Sequence, residues 1–261
     1  MTLIRSMLSP FGIIMAADST LTVKYPFTNG ETIERHYTNA KKLQKIPHLT
    51  AGISWWGEGT IDGMNADAWL EYFIKNDHST TLEMFAVSLR DKLRQLGFRV
   101  PDDSKLRYGT IGFHLAGFVE YEGRKVPILY HIHNGISENY DDIDPYVVNA
   151  NLDWTPQKVL EKWDEGHFGG LRNGDFIPYA VVSGYLYQAF EALNNIRFEG
   201  QTTPFVIPHP RDNLDSWAEL LRFEIKMVSE IYALSNYPKL IGGKIATLTI
   251  NNNGKYNYEM K

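Results

Sequence analysis

Position 2 is a threonine directly behind the first methionine. An initiator methionine is normally removed when the next residue is small. Removal would leave Thr2 with a free α-amino group beside its own hydroxyl. A threonine hydroxyl is a weak nucleophile and needs a base close by. An α-amine, with a pKa of roughly 7.7–8.0, is partly neutral near pH 7 and can take the hydroxyl proton directly or through a water. Many chains begin Met-Thr and make no such use of it. Three other segments offer partners. Asp18 follows the apolar stretch Gly12-Ile13-Ile14-Met15-Ala16-Ala17, where it is either a strand-end cap or a charged neighbour of the threonine. Lys41-Lys42 is either a solvated pair or the source of one lysine held beside an aspartate, where its charge lowers the pKa of a neighbouring hydroxyl. In Ala51-Gly52 the missing Cβ either ends a strand tightly or lets a backbone N–H approach a substrate carbonyl, as an oxyanion hole requires.

Composition narrows what else the chain can do. Its 261 residues carry 26 Lys+Arg against 31 Asp+Glu, a formal net charge of -5. A mildly acidic chain gains no general attraction for phosphate backbones, so nucleic acid is not expected as a partner. Cysteine is absent, which removes thiol nucleophiles, cysteine-ligated zinc, iron–sulfur clusters and disulfides. Apolar runs fall far short of a membrane span, and the N-terminal stretch lacks the apolar core of a secretory signal, so a cytoplasmic protein with no membrane contact is expected. No phosphate loop, dinucleotide fingerprint or nucleophile elbow is present, and no cofactor is expected. His131 and His133 alternate on one strand face as half a metal site would, without a matching carboxylate pair. Asp141, Asp142 and Asp144 lack the glycine and distal glutamate of a calcium loop. Trp55-Trp56 suits core or interface packing, or the lining of a substrate groove or a subunit contact.

The elements that must position these residues follow from periodicity. Residues 2–8 and 12–17 read as a hairpin turning at Ser9-Pro10-Phe11-Gly12, residues 24–38 as a loop or longer hairpin tip around Asn29-Gly30, and 49–53 as a buried strand. Residues 64–76, with Met64, Ala68, Trp69, Tyr72 and Phe73 on one side, and 82–96, with Leu82, Phe85, Ala86, Leu89, Leu93 and Leu96, read as helices. Strands are predicted at 109–119 and 126–133 about Glu122-Gly123, and a short helix opens at Thr155-Pro156. Residues 177–183 read as a strand, 185–196 as a helix, 200–214 as a loop and 215–235 as a long helix stopping before Pro238. The chain closes with a hairpin, Lys244–Ile250 and Lys255–Met260, whose Asn253-Gly254 is a type I′ turn signal. Blocks of strands, two helices, strands, two helices and strands suit packed sheets with outer helical layers rather than alternating βαβ units.

Taken in order, Thr2, Gly-Ile-Ile-Met-Ala-Ala-Asp-Ser, Lys-Lys-Leu and Thr-Ala-Gly resemble the proteasome β-type subunits and their bacterial ring-forming relatives among the N-terminal nucleophile hydrolases. The interval of sixteen from Thr2 to Asp18 matches that family without a gap. Residues 109–118 look like its central strand and 127–135 like the strand after it. Val181-Val182-Ser183-Gly184-Tyr185 resembles its Gly-Ser-Gly segment, and Ile241-Gly242-Gly243 its Ser-Gly-Gly segment. The resemblance implies one α+β domain over 1–261, a four-layer α/β/β/α sandwich with an insertion at 136–176. It implies a threonine-type hydrolase cleaving peptide amide bonds through an acyl-enzyme on Thr2. Asp18 and Lys42 would be electrostatic partners, Gly52 the oxyanion donor and Ser183 the support of the N-terminal amine. Thr50, Ile53 and Ser54 would line the specificity pocket. It also implies a homo-oligomeric ring or related assembly, peptide or protein substrates, and room for an ATPase partner that feeds them.

The chain departs from the family pattern at several points. The family's second aspartate falls on Pro238, the serine of Ser-Gly-Gly on Ile241, and the first glycine of Gly-Ser-Gly on Val182. The loop between Asp18 and Lys42 is longer than usual. Asn236 and Ser235 are the nearby polar substitutes. Two alternatives follow: a catalytically inactive proteasome-like assembly subunit, and an amidase acting on a small non-peptide amide.

Overall fold

The computed structural model describes residues 2–26, 32–96, 111–134, 147–149, 155–164, 169–174, 176–195, 213–236 and 241–261. The acidic stretch Asp141, Asp142 and Asp144, most of the 200–214 loop, and Pro238 lie outside them. The first hairpin is β1 (Leu3–Ser9) and β2 (Gly12–Asp18), turning at Pro10-Phe11. A second hairpin, β3 (Leu21–Pro26) and β4 (Thr32–Tyr37), occupies the stretch read as a loop or hairpin tip. β5 (Leu43–Ile46) and β6 (Ala51–Gly57) follow, then the two-residue strands β7 (Thr60–Ile61) and β8 (Met64–Asn65). Next come α1 (Ala66–Asn76), α2 (Leu82–Gln95), β9 (Ile111–Tyr121), β10 (Arg124–His133), β11 (Val147–Asn149), α3 (Pro156–Asp164) and β12 (Gly169–Gly174). The chain ends with α4 (Phe176–Asn195), α5 (Leu214–Leu234), β13 (Ile245–Asn251) and β14 (Tyr256–Met260).

Two five-stranded sheets result, in the orders β12-β1-β2-β13-β14 and β11-β10-β9-β6-β5. Strand alternation decides the layers. From β1, Ile4 and Leu8 point between the sheets, where they meet Met15, Leu43, Ala116, Leu129 and Leu248. Leu3 and Met7 point the other way, against Tyr179 and Val182 of α4 and Leu221 and Ile225 of α5. On the second sheet Ile53, Trp55, Phe113 and Leu115 face Trp69, Leu70, Phe85, Leu89 and Val159 of the other helices. Both faces of each sheet are covered. That is why β1 and β2 read as nearly continuous apolar runs, and it makes the architecture the α/β/β/α sandwich. No described helix is long and apolar enough to cross a membrane.

The structure corrects several sequence expectations. Residues 177–183 are helical, part of the 20-residue α4. A short apolar run does not distinguish a strand from a buried helix, and Pro178 falls in the first helical turn, where its missing N–H costs nothing. Apart from these corrections, β11 of one sheet and β12 of the other come from within 136–176, the stretch expected as an insertion relative to the family. In α1 the buried side is Ala66, Trp69 and Leu70, while Met64 and Tyr72 are exposed. Ile231 of α5 is exposed as well. In the closing hairpin only Gly254 has positive φ, so Asn253-Gly254 is no type I′ turn. Glu122-Gly123, with φ of 51° and 72°, has the two positive values that such a turn requires.

Candidate active site

The site forms where the residue before β1, the end of β2 and the residue before β5 meet. Lys42 Nζ donates to Thr2 Oγ1 at 2.9 Å and to Asp18 Oδ1 at 3.0 Å. All three side chains are buried, Thr2 being 3% exposed and Asp18 and Lys42 1% each. Asp18 gathers backbone as well. Its Oδ1 accepts from the Leu3 N–H at 2.9 Å, and its Oδ2 from the N–H groups of Thr20 at 3.0 Å and Gly242 at 3.3 Å. One carboxylate thus ties together the strand carrying Thr2, the turn after β2, Lys42 and the segment before β13. A buried carboxylate with this many donors is fully compensated. Burial pushes the Lys42 ammonium below the usual lysine range, and the adjacent Asp18 charge opposes that shift.

The path from β2 to β5 sets Lys42 in place. The Ser19 N–H donates to the Gly242 carbonyl, and the Ser19 hydroxyl donates to the Thr38 carbonyl at 2.6 Å. Ala40 N–H then donates to the Ser19 carbonyl and Lys42 N–H to the Ala40 carbonyl. The Lys42 carbonyl accepts from Trp55 N–H at 3.0 Å, which fixes Lys42 against β6. Lys41 turns away: its ammonium meets Glu71 at 3.4 Å on the exposed surface. Gly243, with φ of 72°, lies so close to Ser19 that a Cβ there would come within 2.5 Å of the serine hydroxyl. Gly174, with φ of 107°, packs so tightly on the Thr2 carbonyl that any Cβ would collide with it. Ser19, Gly174, Gly242 and Gly243 are further positioning residues; Ser19 and the Gly242-Gly243 pair stand in segments that carry the resemblance, whereas Gly174 has no motif around it.

The other expected site residues do not gather here. Gly52 pairs with Lys45, three residues along the ladder from Lys42 and so about 10 Å away. A Cβ on Gly52 would meet Leu248 and Met15 between the sheets. Trp55 is the β6 residue hydrogen-bonded to Lys42. Thr50, with φ of 51°, ends the turn between β5 and β6, against Gly254 and at the far end of β5 from Lys42. Ile53 points into the helix-covered core. Ser54 pairs with Leu43, the residue after Lys42, and its buried hydroxyl has no hydrogen-bond partner among the described residues. Ser183 lies in the middle of α4, where its hydroxyl donates to Glu224 Oε1 at 3.3 Å rather than to Thr2. Ile241 is a buried apolar residue. Ser235 caps α5 by donating its hydroxyl to the Tyr232 carbonyl.

Between the sheets lies a second polar group. His114 shares a hydrogen bond with Ser6 Oγ through Nδ1, 3.1 Å, and another with Asn173 Oδ1 through Nε2, 2.6 Å. His131 pairs across the ladder with His114 and lies 4.3 Å, ring to ring, from His133. Burial pushes His114 down to about 4 and holds His131 well below the ordinary histidine range, with His114 and His133 adding to the shift. Among the described residues no group of three or more His, Asp or Glu side chains is arranged to hold a metal.

No family profile matches the sequence, and no curated protein matches it. Solved structures do match. A mutant of Anbu from Hyphomicrobium sp. strain MC1 aligns with a TM-score of 0.51 at 13% identity, over 100% of this chain and 87% of that one. Anbu (ancestral beta-subunit) from Yersinia bercovieri aligns with a TM-score of 0.49 at 10% identity, over 99% of this chain and 87% of that one. At such identity the likeness to the first speaks to architecture: this chain folds as a proteasome-like α+β sandwich.

Proposed function

We propose that this protein is a threonine-type N-terminal nucleophile hydrolase that cleaves peptide amide bonds and works as a homo-oligomer. The observation that carries the reading is the Thr2–Lys42–Asp18 contact, in which one ammonium lies 2.9 Å from a hydroxyl and 3.0 Å from a carboxylate, all three out of water. With Met1 removed, the Thr2 amine takes the hydroxyl proton and Oγ1 attacks the substrate carbonyl. The Lys42 charge stabilises the oxygen as it becomes an alkoxide, and Asp18 holds Lys42 in place. The amine returns its proton to the leaving nitrogen as the amide bond breaks, leaving an ester on Thr2. Water then cleaves the ester and restores the hydroxyl. Large apolar side chains that remain exposed on the outer helices, Val181, Tyr185 and Leu234 among them, are consistent with burial in an assembly.

A second reading, a non-catalytic assembly subunit, draws on two observations: Thr2 is only 3% exposed, and Ile241 places a buried apolar side chain where the resemblance has a hydroxyl. Thr2→Ala decides between them. A catalytic Thr2 requires that hydrolysis of peptide amides disappears while folding and assembly persist. Residual activity within a few-fold of the parent would exclude Thr2 as nucleophile. Faster turnover of small amides than of peptides would redirect the reading to an amidase.

A further inference from the structure

On the helix-facing side of β1, three residues after Thr2, Arg5 reaches up to α5. Its Nη1 donates to Glu224 Oε2 at 2.8 Å, and the Glu224 side chain is wholly out of solvent. The same carboxylate accepts from the hydroxyls of Tyr179 and Ser183 on α4. The Arg5 guanidinium lies 5.1 Å from the centre of the Tyr179 ring, and that of Arg172, the partner of Arg5 across β1 and β12, lies 5.7 Å from it. Tyr187 of α4 also faces the pair. Burial pushes Arg5 down and Glu224 up, and each of the two charges opposes the shift of the other.

Apolar side chains of the same volume would hold α5 on β1 as well or better, because a buried ion pair regains little more than its desolvation cost. What the pair adds is direction. A guanidinium gripped by one carboxylate has one position along the strand, and Thr2 is the residue directly before that strand. We propose that Glu224 is a positioning residue for Thr2: through Arg5 it fixes β1 lengthwise, and Ser183 acts on the N-terminus through this carboxylate instead of touching it. The inference rests on Thr2 being the nucleophile. A shift of β1 by 1 Å would break the 2.9 Å contact with Lys42, a displacement that costs ~10²-fold in rate. Glu224 also cancels the Arg5 charge, which stands about 10 Å along the strand from Thr2.

The test uses the full chain with Thr2 as its first residue. The pH dependence of carbamylation of the Thr2 amine by cyanate, followed by mass spectrometry, reads the titration of that amine without requiring turnover. Peptide hydrolysis is measured beside it. In Glu224→Gln the uncompensated Arg5 moves the amine titration about half a unit to one unit lower, and kcat falls at least ~10-fold with KM held. Arg5→Met/Glu224→Gln brings the titration back to the parent value. Glu230→Gln, the same charge change on the exposed side of α5, leaves it unmoved. Should Glu224→Gln not fold, Arg5→Met carries the test with an upward shift. An amine titration identical in parent and variants overturns the proposal even where peptides are hydrolysed. Predicted shifts without any hydrolysis refute the hydrolase reading, and with it the catalytic consequence of Glu224, while the link from Glu224 through Arg5 to the Thr2 amine stands.

Discussion

Lys42→Ala removes the cation that touches the Thr2 hydroxyl. Two consequences can be separated. The first is catalytic: a well-placed charge at a developing oxyanion is worth ~10²–10³ in rate, about 3–4 kcal/mol. With Nζ at 2.9 Å from Oγ1 and both groups buried, the upper part of that range applies. The second is structural. Breaking a buried pair costs about 3–5 kcal/mol when the remaining charge is abandoned. Asp18 is not abandoned, since the N–H groups of Leu3, Thr20 and Gly242 still point at it. The loss of stability should therefore lie at or below about 3 kcal/mol. Lys41→Ala is the control. Its ion pair with Glu71 joins side chains 61% and 65% exposed, so stability should stay within about 0.5 kcal/mol and activity should not change. The assay is kcat/KM for a fluorogenic peptide together with urea unfolding of each variant. Equal effects from the two lysines, or Lys42→Ala activity within a few-fold of the parent, would refute the reasoning.

Two further outcomes follow from buried groups away from Lys42. His114 is held down to about 4 from an ordinary 6.5, so the unfolded chain takes its proton first as pH falls. The stability tied to it is complete above about pH 6.5 and is lost toward pH 4, up to about 3 kcal/mol; urea unfolding at pH 7.5 and 4.5 should show the loss, and His114→Gln should reduce it. An unchanged acid slope in that variant contradicts the assignment. Gly174→Ala forces a Cβ into the Thr2 carbonyl at a φ of 107°, and should lower stability by about 3 kcal/mol or more and displace β1. Normal unfolding and full activity in that variant would contradict the packing of β12 on Thr2.

The contact among Thr2, Asp18 and Lys42 was legible because each residue type has a chemical reason to be near the others, and the interval from Thr2 to Asp18 spans one tight hairpin. The pocket and oxyanion residues were not, for a reason of strand geometry. A period of two sends Ile53 to the helices and Ser54 between the sheets, and the ladder sets Gly52 beside Lys45. A shift of two or three residues in matching the turn before β6 therefore changes which residue meets Lys42. In α4 the run Phe176–Tyr187 has few polar residues to reveal a period, so periodicity marks only the second half of that helix. Glu224 did carry a signal. It sits among Trp217, Leu220, Leu221, Ile225 and Val228 on the buried stripe of α5, and a carboxylate at a core position demands a partner. Arg5, between Leu3 and Met7 on the helix-facing side of β1, was that partner.

The most direct test of the central claim is to quench the protein with acid during turnover of a peptide ester and determine by mass spectrometry which residue carries the acyl group. The account predicts a chain that begins at Thr2, with the acyl group on that residue and none in Thr2→Ala. An acylated chain that retains Met1, or an acyl group on any other residue, would contradict it.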